Sequence, residues 1–247
     1  MNISLVDYHC HLDLYPDFER LVSECEHKQI YTLTVTTTPR AWPRNFALTK
    51  DLTFVRAALG LHPQLIEQYA NELNLWEQYL PQAKFIGEIG LDAGPGFYKS
   101  FEKQTAVFDH IIKQCSKYGD KVLTIHSVRS ASQILNILEK HALLKNNKAV
   151  LHWFSGSLAE ARRAINMGCY FSINLPMVSN PKNIDLLNII PKRLVLTETD
   201  GPFTVTNGVA QKPENVLLCL DKISTLWNQS IQETKMTIVN NLVALES

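Results

Sequence analysis

The sequence carries no net charge, its 24 Lys and Arg residues being balanced by 24 Asp and Glu. That balance excludes a broad basic surface gripping duplex DNA through many phosphates, though a local phosphate pocket remains compatible with it. Cysteine is scarce and unpatterned. The five residues, Cys10, Cys25, Cys115, Cys169 and Cys219, are odd in number and include no CxxC spacing, so neither a disulfide framework nor a zinc ribbon is indicated. No apolar run approaches the roughly 20 residues that a membrane helix requires. The opening Met-Asn-Ile-Ser-Leu-Val-Asp also lacks the basic start and long apolar stretch of a secretory signal. A cytoplasmic location without membrane contact is expected. Low-complexity tracts are missing as well, and with 45% hydrophobic and 19% charged residues the composition is that of an ordinary folded chain.

What is present is an alternation of two periodicities. A first apolar run closes at Asp7–Asp13, and β-branched or apolar runs recur at 30–38, 54–61, 84–90, 121–126, 149–154, 169–175 and 193–199. Between them lie segments with apolar spacing of three and four, among them 16–29, 65–80, 100–118, 134–144 and 158–167, and two more follow at 214–227 and 231–245. Eight short strands separated by helices, with no change of composition between halves, predict an α/β chain folded as one (β/α)8 TIM barrel over 1–247. His9 and His11, His62, Glu88, His126, His152, Asn174 and Asp200 then all fall at the C-terminal ends of strands. Barrel enzymes build their sites on that face.

Side chains two apart on a strand share a face, so His9 and His11 point together and Cys10 points away, which rejects Cys10 as a ligand. Alone, the pair reads equally as two buried structural histidines. The later strand-end residues tip the reading toward metal binding. Imidazole and carboxylate donors without thiolate suit Zn, Mn, Fe, Ni or Mg. Six candidates are too many for one ion, and they divide into His9, His11 and Asp200 on one metal and His126 and His152 on another, with Glu88 bridging. Two ions about 3.5–4 Å apart can activate a water and stabilise the leaving oxygen of a phosphodiester. The expected reaction class is hydrolysis.

Five motifs carry a resemblance over essentially the full chain: Asp7-Tyr8-His9-Cys10-His11-Leu12-Asp13, Gly60-Leu61-His62-Pro63, Ile86-Gly87-Glu88-Ile89-Gly90-Leu91-Asp92, His152-Trp153-Phe154-Ser155-Gly156 and Glu198-Thr199-Asp200-Gly201-Pro202. Together they make the chain resemble the TatD-type metal-dependent deoxyribonucleases, and more narrowly the TatD-like nuclease of Qat anti-phage systems. The resemblance implies a barrel fold and Mg- or Mn-dependent cleavage of DNA, with Zn as an alternative cofactor and protein partners of a defence system. It implies His9, His11, Glu88, His126, His152 and Asp200 as ligands of two divalent ions, Asp200 and Glu88 as the catalytic carboxylates, and Asp200 as the group that orients or deprotonates the attacking water. His62, Arg129 and Asn174 are the candidate substrate contacts. Three departures stand out: Gln64 replaces a second His after Pro63, Val128 occupies the position of a usual Arg, and 204–213 replaces an Arg-rich loop. Few cations can serve the mouth, with Arg40, Arg44, Lys99, Arg129 and Lys182 as candidates, so a single strand or frayed end is expected as substrate, its bases stacked on Phe97, Tyr98 or Trp153. The competing readings are a small-molecule amidohydrolase or lactonase on the same barrel and a non-catalytic subunit of a complex.

Overall fold

The strands pair in chain order. A computed structural model describes residues 2–247, and its main sheet runs β1 (Leu5–Cys10), β2 (Ile30–Val35), β3 (Val55–Leu59), β4 (Phe85–Asp92), β5 (Val122–Val128), β6 (Lys148–His152), β7 (Tyr170–Ile173) and β8 (Val195–Thr197). Every paired neighbour is parallel. Strands this apolar are explained by burial on both faces: every residue of β2 and of β4 is buried, between the barrel interior and the surrounding helices. The helices are α1 (Phe18–His27), α2 (Trp42–Thr49), α3 (Ile66–Tyr69), α4 (Leu73–Tyr79), α5 (Phe101–Tyr118), α6 (Ala131–Lys140), α7 (Leu158–Met167), α8 (Leu175–Ser179), α9 (Ile184–Ile189), α10 (Val216–Trp227) and α11 (Ile231–Glu246). The three-and-four spacing is what lets each wrap the barrel. On α1 it buries Phe18, Leu21, Val22 and Cys25 while the polar positions face outward. Among the described residues no helix is long and apolar enough to cross a membrane.

Several boundaries differ from the periodicity, the helix expected over 134–144 running instead over Ala131–Lys140 and the strand expected over 169–175 over Tyr170–Ile173, and three have a clear local reason. The expected helix over 65–80 breaks at a 3-10 turn, Ala70–Glu72, where the nearly buried Glu72 turns in to pair with Arg40. β5 continues past His126 to Val128 because β4 also runs on, pairing Asp92 with Val128. β8 stops at Thr197, two residues early, because the Asp7 carboxylate takes the Thr199 amide at 2.8 Å and its hydroxyl at 2.6 Å, drawing that residue out of the ladder.

That last displacement shapes the seam where the barrel closes. The Asp200 amide donates to the His9 carbonyl at 2.8 Å, and the His11 amide donates to the Gly201 carbonyl at 2.8 Å. First and last strands are thus joined at their C-terminal ends through the residues whose side chains face the mouth. Beyond the seam, Val205–Thr206 (β9) and Val209–Ala210 (β10) form a small antiparallel hairpin. Its two-residue turn, Asn207-Gly208, has φ of 52° and 79°, the left-handed pair that a tight hairpin demands and that Asn and Gly tolerate. The hairpin exposes Val205 and Val209 and contains no Arg or Lys.

Candidate metal centre

Glu88 stands at the centre of the barrel mouth, and its two carboxylate oxygens face different imidazoles. Oε2 lies 3.3 Å from His9 Nε2 and 3.2 Å from His11 Nε2. Oε1 lies 2.8 Å from His126 Nδ1, 3.2 Å from His62 Nε2 and 3.6 Å from His152 Nε2. Asp200 closes the first group, with Oδ1 3.8 Å from His9 and 3.6 Å from His11. Its φ of +56° puts it in the left-handed region that Asp tolerates, which turns the chain sharply at the end of the seam.

Three of the imidazoles are held from behind, whereas Nδ1 of His11 is buried without a hydrogen-bond partner. His9 Nδ1 lies 2.8 Å from Thr124 Oγ1, and its ring stacks on that of His152 with centroids 3.6 Å apart and planes 10° off parallel. His152 Nδ1 meets Glu198 at 2.9 Å, leaving Nε2 toward the cluster. Glu198 is fully buried and also accepts from the Trp153 amide at 3.2 Å, Asn174 Nδ2 at 2.9 Å and the Ser172 hydroxyl. His126 Nε2 lies 3.1 Å from Asp92 Oδ2, an oxygen that Gln64 Nε2 also holds at 2.8 Å, and the Gly94 amide fixes the other oxygen at 2.7 Å. Such outer partners set which ring nitrogen faces the centre.

Several expectations change on this geometry. His62, which also lines the mouth, stands within the cluster itself: its Nδ1 accepts from the Gln64 amide at 3.2 Å, so the neutral ring carries its hydrogen on Nε2, 3.2 Å from Glu88 Oε1. Asn174, expected to contact substrate, is instead fully buried, capping the Met177 amide at 3.0 Å and donating to Glu198; it does not line the mouth. Arg129 follows β5 with φ of +51° and is exposed, outside the cavity wall. Arg40, Arg44, Lys99 and Lys182 are exposed and outside it too. Of the three proposed stacking rings only Trp153 lines the mouth, whereas Tyr98 faces a separate groove between α5 and α6. That groove, about 980 Å³, is larger than the mouth cavity of about 620 Å³ but contains none of the clustered residues. Phe203 is the wall residue the sequence reading missed, its ring edge-on to His11 with centroids 5.0 Å apart. Its place three residues after Asp200 was the available signal.

The donor set fits divalent cations. His9, His11 and Glu88, and separately His62, Glu88 and His126, each bring ligand atoms within 4.8 Å of one another, and so do His9, His152 and Glu198. All donors are N or O, and among the described residues no Lys or Arg lines the cavity to neutralise Glu88 and Asp200. Buried carboxylates without a counter-charge are costly. Without cations, protons carry that charge. Burial works against a protonated His152, but Glu198, Asp200 and Glu88 outweigh it and push the ring up to about 10. Burial is likewise overcome at His11, where Asp200 and Glu88 push the value up to about 9. His9 goes the other way, lowered by burial and by neighbouring His152. Burial alone would raise Glu88, yet His62, His9, His11 and His126 hold it well below the usual carboxylate range.

The sign of the pH dependence follows. Below about 9, His11 and His152 hold protons in the metal-free protein, and a cation bound at these imidazoles would have to displace them, so metal affinity is expected to rise with pH and binding at pH 7 to release protons. The same raised values stabilise the metal-free fold fully below the ordinary imidazole value of 6.5, and that contribution is lost as pH climbs through about 9 and 10. Calorimetry of Mn2+ binding at pH 7, in buffers of different ionisation enthalpy, is expected to show net proton release. Binding enthalpies independent of the buffer would refute it.

The family described as TatD related DNase matches residues 6–247. The chain belongs to that family. An uncharacterized metal-dependent hydrolase, YjjV, of Escherichia coli K12 is 30% identical, the match covering 97% of this chain and 96% of that one. The crystal structure of the same relative superposes with a TM-score of 0.87 at 27% identity over 99% of this chain and 98% of that chain. A human family member, Deoxyribonuclease TATDN3, is 24% identical over 98% of this chain and 94% of its own length. The TatD chains therefore match this one from the first barrel strand through the last helix, so the clustered mouth lies within the shared fold.

Proposed function

We propose that the whole chain, 1–247, is one catalytic barrel that hydrolyses DNA phosphodiester bonds with two divalent ions, Mg2+ or Mn2+, or alternatively Zn2+. The observation that carries the proposal is the division of Glu88: one carboxylate oxygen faces His9 and His11, the other His126, His62 and His152. In this reading His9, His11 and Asp200 hold one ion, His126 and His152 the other, and Glu88 both. Ions so held lower the pKa of a water and neutralise charge on the leaving oxygen. Asp200 does the proton work. Burial would raise its carboxyl, but the nearby imidazoles of His11, His152 and His9 keep it below its ordinary value, so at neutral pH it is ionised and able to accept a proton. His62 steadies the Glu88 oxygen that it touches. The deoxyribonuclease named among the relatives supports DNA as the polymer. The motif resemblance to Qat nucleases supports a cytoplasmic setting with protein partners of a defence system.

The cavity wall supports single strands or frayed ends over duplex. No cation lines it, so few phosphates are held electrostatically. Single-stranded oligonucleotides are expected to be cut faster than blunt duplex, with a shallow dependence on salt. Equal rates on covalently closed duplex circles and on single strands would defeat this part. The alternative, a small-molecule amidohydrolase or lactonase, is favoured by the apolar walls Leu14, Leu65 and Val128. A panel of esters and amides tested on the same metal-loaded sample separates the two readings.

A further inference from the structure

The mouth cavity holds two features that the cluster does not use. Phe203 is 60% exposed, with its ring edge-on to His11, which is only 1% exposed. One side of the aromatic thus shields a buried imidazole of the cluster, and much of the rest meets solvent. Its backbone leaves little freedom. The Phe203 amide donates to the Asp200 carbonyl at 2.9 Å, and the next residue, the buried Thr204, donates through its hydroxyl to the Thr199 carbonyl at 2.6 Å. A large apolar ring has been placed rigidly beside the reacting centre and left uncovered. The second feature is Ser127. Its hydroxyl oxygen is buried and lacks a hydrogen-bond partner, the residue is 3% exposed, and it lines the same cavity. A buried hydroxyl without a partner costs free energy unless something entering the cavity satisfies it.

We infer that Phe203 is a platform for the nucleobase adjacent to the cleaved phosphate, within a slot whose other walls include Trp153 and Val128 and whose polar groups include the unpartnered hydroxyl of Ser127. The inference rests on the phosphodiesterase reading above and adds what the site recognises beyond the phosphate. A group that must reach the Glu88 centre passes Phe203, Trp153, Leu14, Leu65 and Val128, interspersed with neutral polar side chains, and among the described residues no Lys or Arg lines this wall to hold a second phosphate. A base brings a flat apolar face of the kind that covers Phe203, and hydrogen-bonding edges of the kind that Ser127, on the same cavity wall, lacks as partners. A purely hydrocarbon group would cover the ring but leave the hydroxyl unsatisfied. A second phosphate would find neither charge nor donors in sufficient number.

Hydrolysis of a dinucleotide by the Mn2+-loaded protein tests this against two analogues, each lacking one base. Removing the base that stacks is expected to lower kcat/KM about tenfold, chiefly through KM, and removing the other is expected to matter less. That ratio collapses toward unity in Phe203→Leu, which keeps bulk but loses the aromatic face, and is restored in Phe203→Tyr. Equal cleavage of all three compounds by the native protein would overturn the base slot while leaving the phosphodiesterase reading intact. So would a Phe203→Leu protein that loses activity on all three in the same proportion, since that pattern marks a structural role. Failure to cleave any of the three, with metal bound, removes the phosphodiesterase reading and the slot with it.

Discussion

Glu88→Gln is expected to abolish hydrolysis and to lower metal occupancy while leaving the barrel folded. The carboxylate offers two equivalent anionic oxygens, one to His9 and His11 and one to His126, His62 and His152. An amide offers one neutral oxygen and one N–H2 group, so whichever way it turns, one set of imidazoles meets a donor in place of an acceptor. It cannot join two cations as a carboxylate does. The fold should persist because β4 is held by its pairing with β3 and β5 and by buried neighbours such as Ile86, Ile89 and Leu91, none of which the substitution touches. Metal analysis and turnover on the same preparation check the expectation. Near-normal turnover with metal still bound would remove the two-metal scheme.

Asp200→Asn is the second large effect, and it separates chemistry from binding. Asn tolerates the left-handed backbone that Asp200 adopts, with φ of +56°, so the turn and the seam through the Asp200 amide survive the change. Its oxygen still faces His9 and His11. What is lost is the capacity to take a proton from the attacking water. Loss of a positioned general base typically costs about 10²–10⁴-fold in rate. The fold and much of the metal should be retained, which thermal unfolding and metal analysis would report alongside kcat. A fall of less than about tenfold would reduce Asp200 to a ligand without a role as base.

The alternation of strands and helices was readable because burial on both faces makes each barrel strand a short apolar run, while each helix shows its stripe. The meeting of His9, His11, Glu88, His126, His152 and Asp200 at one end was readable too, since all close such runs. Strand-end position alone could not say where a side chain then turns. Asn174 satisfies it and yet buries its amide under Glu198 and the start of α8. His62 satisfies it and joins Glu88 because its other ring nitrogen is taken by the Gln64 amide. Gln64 itself bonds Asp92, twenty-eight residues away, a contact across two strand ends that no local pattern encodes. Loop residues were the least legible. Arg40 is occupied by Glu72 and Arg44 by Glu19 at 3.2 Å, so neither cation serves the mouth, whereas Phe203, on the turn that Asp200 begins, does line it.

The central claim is that Glu88 joins two cations that are both needed for hydrolysis. Titration of the metal-stripped protein with Mn2+, following bound metal per chain and cleavage of a single-stranded oligonucleotide in the same samples, tests it most directly. Activity is expected to stay near background until the first equivalent is taken up and to rise with the second. Full turnover at one bound ion per chain, or in the absence of bound metal, would contradict it.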